Sequence, residues 1–253
     1  MSTATASSKA FATRRRDRWW LPPLATGLAL AAFGIYTAVA ALMGDHYLYT
    51  RDGAHYLSPF YSPDLKGWGL DVPFSGALLV IWIPLVFRGS CYYYRKAYYR
   101  AYFLSPPGCA VAGRPRRRYR GESVLPGILM NAHRYGLYLA TIILGFLWYD
   151  AVRAFFFDGS FGVGLGSLVL LANVVFLSLF TFGCNSVRHF VGGRLDCFTC
   201  SAAAKTRHGV WRRVGRLNGW HMQWAWISLF SVALADLYIR LASSGVFDDP
   251  RLI

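Results

Sequence analysis

Acidic residues are scarce in this chain of 253 residues, which has 12 aspartates and glutamates against 27 lysines and arginines. In a soluble protein, the resulting net charge of +15 would suggest a nucleic-acid partner. Here the basic residues lie between long apolar stretches, which is the pattern of cytoplasmic loops in a membrane protein. The basic segments also lack a fold that could present them to a nucleic acid, so we expect no nucleic-acid partner.

Several functional signatures are also missing from the sequence. We find no internal repeat, no glycine-rich phosphate loop, no Ser-His-Asp arrangement and no convincing secretory signal, because the first apolar stretch is long enough to span a membrane. The five cysteines are an odd number and follow no secreted disulfide pattern. We therefore expect some of the thiols to be reduced or bound to a metal.

Long apolar segments dominate what is present. Hydrophobic residues make up 55% of the chain and the mean hydropathy is +0.32, values typical of proteins that cross a membrane several times. Five segments approach the roughly 20 apolar residues that a transmembrane helix needs. Pro84 lies inside the second of them and is expected to kink it. The sequence predicts an all-α membrane protein, a bundle of five transmembrane helices at about 22–43, 74–94, 126–149, 166–188 and 219–241.

The distribution of positive charge predicts the orientation. Twenty-one lysines and arginines lie in the N-terminal arm and in the 88–125 and 188–217 regions, against five on the alternate side. This asymmetry places the N-terminus in the cytoplasm and the C-terminus outside. We expect a basic cytoplasmic arm at 1–21, a five-helix anchor at 22–245 with an ordered aromatic cap at 44–73, and an external tail at 246–253.

Thiols and imidazoles gather near the cytoplasmic ends of the predicted helices. With a rise of about 1.5 Å per residue, four different helices bring two thiols and two imidazoles to a similar depth. Two cysteines with two histidines are the ligand set of a Rieske-type [2Fe–2S] centre, and the same set can hold structural zinc. Two of the histidines could instead bind a haem b axially, or the cysteines could be packed core residues. The four predicted ligands are Cys91, His133, Cys184 and His221, with Cys109 and His189 as alternates.

Other polar groups are weaker candidates. A CxxC pair flanked by histidines, formed by His189, Cys197, Cys200 and His208, could bind zinc or iron, although its spacing is not that of a standard zinc finger. Asp236 could relay protons, but pairing with Arg240 four residues later is the favoured interpretation. Asn173 and Ser178 are predicted to form hydrogen bonds between helices.

Several motifs in order carry a family resemblance. They are CYYYRKAYYRAYFLSPPGCAV at 91–111, GES at 121–123, MNAHRYGLY at 130–138, CNSVRHFVGGRLD at 184–196 and LNGWHMQWAW at 217–226. From about residue 75 to its end, the chain resembles the single-chain, five-helix membrane anchors of actinobacterial-type succinate dehydrogenase. The resemblance implies a succinate:quinone oxidoreductase of the plasma membrane, in which a flavoprotein oxidises succinate, an iron–sulfur subunit carries the electrons and the anchor passes them to quinone.

The resemblance also gives the polar residues of the cytoplasmic face a function. Anchors in the wider family carry two haems, one or none, and dihaem anchors place axial histidines at both faces. In this chain the histidines within the spans lie only at the cytoplasmic side, which favours the [2Fe–2S] centre or a single haem. Quinone reduction needs hydrogen-bond donors in a poorly hydrated pocket. We expect these donors to be Arg88, Ser90, Tyr93, Arg134, Tyr135 and Trp220.

Two other functions fit the same sequence. One is a small transporter or channel, suggested by the five spans and Asp236, and the other is a structural anchor without a cofactor. The basic residues Arg95, Lys96 and Arg100 are expected to contact the partner subunits, and most other arginines to contact anionic lipid.

Overall fold

Residues 10–70, 72–113, 123, 124 and 127–253 are described by a computed structural model of the chain. The basic run at 114–120, the first nine residues of the predicted arm and the predicted start of the third span at 126 lie outside these residues.

The described part of the chain is helical, with two short hairpins. The strand pairs are antiparallel, β1 (Leu48–Tyr49) with β2 (Tyr56–Leu57) and β3 (Phe156–Phe157) with β4 (Ser160–Phe161). The helices are α1 (Leu21–Met43), α2 (Ala77–Val80), α3 (Trp82–Ser90), α4 (Tyr92–Ala101), α5 (His133–Arg153), α6 (Leu165–Phe182), α7 (Asn185–Gly192), α8 (Ala202–Gly219) and α9 (His221–Ser243).

Four helices of the described chain are long and apolar enough to cross a membrane: α1, α5, α6 and α9. The second predicted span is broken instead of continuous. Pro84 has no backbone N–H to donate to the carbonyl of Val80, and the helix is interrupted at Ile81, between α2 and α3. A second break falls at Cys91, whose backbone is extended, and the helices on either side of it are bent by 79°. If α2–α3 and α4 are counted together as one broken span, the described chain has five candidate spans.

The helices next to the predicted 188–217 loop differ from the predicted spans. A 3₁₀ turn at Gly127–Ala132 precedes α5, so the regular helix begins at His133. Helix α6 ends at Phe182, and Cys184 immediately precedes the separate helix α7. The loop itself contains the polar helix α8, whose N-terminal Ser201 accepts a hydrogen bond from Ala204 N at 3.1 Å. We call the region where α6 ends, α5 and α9 begin and α7 and α8 lie the basic face.

The chain divides into two compact units, of which the first holds the described residues of Met1–Ile35 and Arg88–Ala132. Within it, the N-terminal arm pairs with the segment after α4. Phe11 N donates to Ala112 O at 2.9 Å, and Ala112 N donates to Ala12 O at 3.0 Å. Arg15 Nη1 donates to Cys109 O at 3.0 Å. The predicted basic arm is therefore bonded along part of its length to another segment of the chain.

The second unit, Tyr36–Phe87 and His133–Ile253, contains the main core. Its buried side chains come from the two hairpins and from α5, α6 and α9, and Tyr56 is at their centre with no exposed surface. The Tyr56 ring stacks on Tyr49 at 5.4 Å and meets the edge of Phe157 at 6.4 Å. The loop predicted as an aromatic cap thus packs its tyrosines into the helices. Aromatic residues suit this position because each buries a large apolar area.

Predicted interhelical hydrogen bonds are present in the same unit. Ser231 Oγ on α9 donates to Asn173 Oδ1 on α6 at 3.1 Å, and Trp148 Nε1 on α5 donates to Ser178 Oγ at 3.0 Å. These bonds confirm the predicted roles of Asn173 and Ser178. Within a membrane they satisfy polar groups that lipid cannot satisfy.

Asp236 is completely buried and pairs with Arg240, as predicted, at 2.8 Å. The carboxylate also accepts hydrogen bonds from Tyr36 OH at 2.5 Å and from Ser58 Oγ. Arg240 donates in turn to Ala40 O at 2.7 Å and to Asp45 O. The pair therefore connects α9 to α1 and to the cap. The cap covers the pair, so both side chains are buried.

Gly166 on α6 lies against the buried Tyr56 ring, so a substitution at this position tests how closely the main core is packed. A Cβ at this position would lie 2.6 Å from Cδ2 of the buried Tyr56 ring. We expect Gly166→Ala to destabilise the protein by about 1–3 kcal/mol, because the ring cannot move in a filled core. Thermal unfolding of the purified protein measures the effect. The control is Gly145→Ala on α5, where an added Cβ would meet no described atom within 4 Å apart from the adjacent backbone of its own helix. Equal unfolding temperatures for the two variants would contradict the expectation.

Candidate functional site at the basic face

His133 and Cys184, two of the four predicted metal ligands, are in contact. The Nε2 atom of His133 lies 3.0 Å from Cys184 Sγ, and its Nδ1 atom lies 3.0 Å from the carbonyl oxygen of Phe87. A carbonyl can only accept a hydrogen bond, so Nδ1 carries the proton and donates it. The Nε2 lone pair of the neutral ring is then directed at the thiol. Metal-binding histidines are commonly oriented in this way, by donating the other ring N–H to a backbone carbonyl.

Close packing of two helices holds the imidazole in place. Its ring stacks on the Phe87 ring with the centroids 4.6 Å apart and the planes 5° from parallel. One turn further along α5, a Cβ on Gly136 would lie 3.3 Å from Phe87 Cα. The glycine therefore permits the close approach of α5 to α3 that brings the Phe87 carbonyl within reach of His133.

The corner between α6 and α7 positions the thiol. Cys184 has an extended backbone and precedes α7, and its Sγ accepts a hydrogen bond from Ser186 N at 3.4 Å. The preceding residue, Gly183, directly follows the end of α6, and its carbonyl accepts a hydrogen bond from Asn218 Nδ2 on α8 at 2.8 Å. Only 3% of Cys184 is exposed, so the thiol faces the protein interior. Three helices thus fix the position of this sulfur.

His221 is linked to this pair through aromatic rings. It is the first residue of α9, and its ring stacks on Phe180 at 5.0 Å. Phe180 in turn meets Phe87 edge-on at 5.8 Å, and Phe87 stacks on His133. The two histidines therefore lie at the ends of a row of four rings. The sequence analysis did not identify Phe87 or Phe180, and no residue signal distinguishes them from other apolar residues in a span.

The structure also gives the surroundings of the remaining predicted ligands. Cys91 is buried in the first unit at the start of α4, and Cys109 in the same unit is exposed. His189 is exposed on α7. Among the described residues, no three histidine, cysteine, aspartate or glutamate side chains form a group that could hold a metal ion. Of the predicted ligand set, the contact between His133 and Cys184 is the part that the structure shows.

The predicted quinone donors fall into two sets. In the first unit, Arg88 donates to Tyr94 OH at 2.6 Å, Ser90 is buried, and the Tyr93 ring lies 5.9 Å from that of Tyr94. In the second unit, the donors lie at the beginnings of α5 and α9 and are exposed on the protein surface; they are Arg134, Tyr135 and Trp220.

The structure contradicts the prediction that the CxxC segment could bind a metal. Cys197 and Cys200 form a disulfide, and His208 stacks on Phe198 at 4.4 Å. A disulfide sulfur is not a thiolate ligand, and the stacked imidazole belongs to an aromatic contact that continues to Trp211 at 5.8 Å. The hypothesis that these residues bind zinc or iron with His189 was therefore wrong for this structure.

Comparisons with known proteins found a matching family and a similar solved structure. The sequence profile of the family described as actinobacterial succinate dehydrogenase subunit SdhC matches residues 21–245. Among solved structures, the chain is similar to one from the Mycobacterium smegmatis Sdh1 complex in the apo form, with 43% sequence identity and a TM-score of 0.86. That match covers 95% of this chain and 94% of the other. No curated protein matches the sequence.

Proposed function

Because the chain belongs to the family of actinobacterial succinate dehydrogenase SdhC subunits, we propose that it is the membrane anchor that passes electrons from succinate to membrane quinone. It is a membrane subunit of the succinate dehydrogenase complex, and thus part of an enzyme. In this proposal the partners are an iron–sulfur subunit and a flavoprotein subunit, and succinate is oxidised on the latter.

The proposed orientation in the plasma membrane follows the distribution of charge. The basic face lies in the cytoplasm, together with the N-terminal arm, and the C-terminal tail lies outside. This arrangement needs five crossings, so the bent pair formed by α2–α3 and α4 counts as one of them. The exposed basic residue Lys96 and its neighbours Arg95 and Arg100 on α4 then contact the iron–sulfur subunit.

The orientation of His133 is the observation that carries the redox part of the proposal. An imidazole whose Nδ1 proton is held by Phe87 O presents Nε2 to a buried thiol 3.0 Å away. A nitrogen and a sulfur from different helices are what a mixed Cys/His site requires. We assign His133 and Cys184 as ligands of a Rieske-like [2Fe–2S] centre, with Cys91 and His221 completing the set and Cys109 and His189 as alternates.

The donor set of this chain suits such a centre in its chemistry. When bound, the centre would supply one-electron transfer between the iron–sulfur subunit and quinone. For ligation Cys184 gives up its thiol proton, and His133 keeps its Nδ1 proton on the Phe87 carbonyl. That hydrogen bond fixes the ring and keeps Nε2 available for the metal.

Haem b is the second candidate, and His133 and His221 are the residues that would hold it. The rings of Phe87 and Phe180 form the row that connects the two histidines, so one haem between them requires both phenylalanines to move. A Rieske-type centre would also need both histidines together, so this row does not decide between the two candidates. The contact of His133 Nε2 with the buried Cys184 thiol is what favours the thiol-containing site.

Quinone reduction needs donors that stabilise the oxygen as negative charge develops on it. The proposed donors are Arg88, Ser90, Tyr93, Arg134, Tyr135 and Trp220. Two observations support the donors of the first unit, Arg88, Ser90 and Tyr93. Ser90 is buried, and Arg88 donates a hydrogen bond to Tyr94 OH. Preorganised donors act most strongly away from water. The transporter alternative has less support, because Asp236 is occupied by Arg240, Tyr36 and Ser58.

Spectra of the intact, purified complex test the redox assignment. For the [2Fe–2S] centre we expect a reduced electron paramagnetic resonance signal of low average g that shifts in a Cys184→Ser variant. The control is His208→Ala on α8, which lies outside the proposed ligand set and should leave the signal unchanged. A Soret band with split α bands would reject the cluster in favour of haem. The absence of both signals would support the cofactor-free anchor, and a functional chain purified without partner subunits would support the transporter.

A further inference from the structure

A cavity of about 350 Å³ opens at the basic face between α5 and α7. Three cationic or titratable side chains line it: Arg134 from α5, His189 from α7 and Arg194 from the turn after α7. No acidic side chain is among its lining residues in the described chain. The volume is within the roughly 300–1,000 Å³ range of ligand pockets. The cavity is thus a concave, positively charged site.

The polar part of the lining suits a phosphate group. Two guanidinium groups can each donate two parallel hydrogen bonds to phosphate oxygens, and arginine is the residue best suited to such paired contacts. Ser186 adds a hydroxyl, and its backbone N–H is used by Cys184. A neutral ligand would leave two guanidinium groups without a counter-charge in the cavity. The chemistry therefore favours an anion with several oxygens.

The apolar part of the lining suits an acyl chain. Leu137, Tyr138 and Phe190 form this side, and the rings of Tyr138 and Phe190 meet edge-on at 6.3 Å. Phe190 is 68% exposed and Tyr138 is 48% exposed. Tyr138 lies on a helix that can cross the membrane, so its exposed ring faces lipid in the proposed anchor. Charged and apolar surfaces thus adjoin within one cavity, as a phospholipid requires.

The turn that carries Arg194 is held by a second arginine. Arg207 on α8 donates from Nη2 to Val191 O and to Gly193 O, both at 2.9 Å. These bonds occupy carbonyl oxygens at the C-terminal end of α7, which would otherwise repel an anion. Arg194 itself has a left-handed backbone, with φ of 59°. Both of these carbonyl oxygens are therefore already bonded to a cation.

We infer that this cavity binds the phosphate group of an anionic phospholipid from the leaflet at the basic face. The guanidinium groups of Arg134 and Arg194 hold the phosphate oxygens, and an acyl chain lies along Tyr138 and Phe190. Basic pockets next to transmembrane helices commonly bind acidic headgroups on the cytoplasmic side of membranes. The inference does not require a redox centre or a quinone site in this chain.

Native mass spectrometry of the intact, delipidated complex tests the inference, with dioleoyl-phosphatidylglycerol as the probe. We expect one lipid to bind more tightly than the rest, and Arg194→Gln to weaken this first binding about tenfold through the loss of paired charge-assisted bonds. Arg194→Lys keeps the charge but not the paired geometry and should give an intermediate loss. The test avoids Arg134, which is also a proposed quinone donor, so the two proposals can fail separately.

Arg212→Gln is the matched control, because it removes the same charge from the exposed surface of α8, outside the cavity. Equal weakening by Arg212→Gln and Arg194→Gln would overturn the inference, since general surface attraction would then explain the binding. Equal affinity for dioleoyl-phosphatidylcholine would overturn it as well. Displacement of the lipid by millimolar inorganic phosphate would show that the site binds free anions and would reject the lipid. An unchanged thermal unfolding temperature in Arg194→Gln would show that its effect is not due to unfolding.

Discussion

Replacement of His133 by alanine should lower succinate–quinone reductase activity of the complex by roughly a hundredfold or more, and leave dye-linked succinate oxidation intact. The physical reason is that His133 Nε2 faces the Cys184 thiol, where the proposed redox centre requires a nitrogen ligand. An artificial dye takes electrons before they reach the anchor, so its reduction reports only the partner subunits. The measurement is the ratio of quinone reduction to dye reduction in the same preparation.

Two further variants separate a ligand from a packing residue at this position. The side-chain N–H of His133→Asn can still donate to Phe87 O but offers no nitrogen toward Cys184, so the loss should persist if His133 is a ligand. His208→Ala on α8, which removes an imidazole stacked on Phe198, should leave the ratio unchanged. Full recovery in His133→Asn would mean that His133 only supports the packing of α5 against α3, and the redox assignment would be rejected.

The sequence alone predicts the membrane-crossing helices better than their ends. Hydropathy identifies α1, α5, α6 and α9 because each contains an apolar run long enough to cross a membrane. The same measure gives no sign that α6 stops at Phe182 or that α7 and α8 form in the loop. These ends depend on hydrogen bonds such as that from Asn218 to Gly183 O, which form only after the chain has folded.

The candidate site shows the same limit. The helix rise and the orientation placed His133 and Cys184 at one depth, and the two side chains do meet. Depth contains no information about rotation around a helix axis, so it could not predict that Phe87 and Phe180 connect His133 with His221. The disulfide between Cys197 and Cys200 was likewise not predicted, because their spacing also fits a metal site.

The buried ion pair beneath the cap should give the largest effect on stability. Asp236→Ala leaves the Arg240 guanidinium in a mostly buried position without its carboxylate, and Tyr36 and Ser58 lose their acceptor. Removing one partner of a buried pair costs about 3–5 kcal/mol, because the remaining charge stays desolvated. For a chain of this size we expect the unfolding temperature of the purified complex to fall by on the order of 10 °C.

An exposed ion pair in the same unit serves as the control for the buried pair. Arg51 and Asp248 lie 3.0 Å apart, with side chains 49% and 79% exposed, and Asp248→Ala should change the stability by less than about 1 kcal/mol. The double variant Asp236→Leu/Arg240→Met removes both buried charges and should be more stable than Asp236→Ala, since no charge is left unpaired. The double variant still leaves Asp45 O without the Arg240 donor, so we expect it to fall below the wild type. If Asp236→Ala and Asp248→Ala unfold at the same temperature, the pair beneath the cap does not hold α9 to α1, and Asp236 becomes available again for a role in proton transfer.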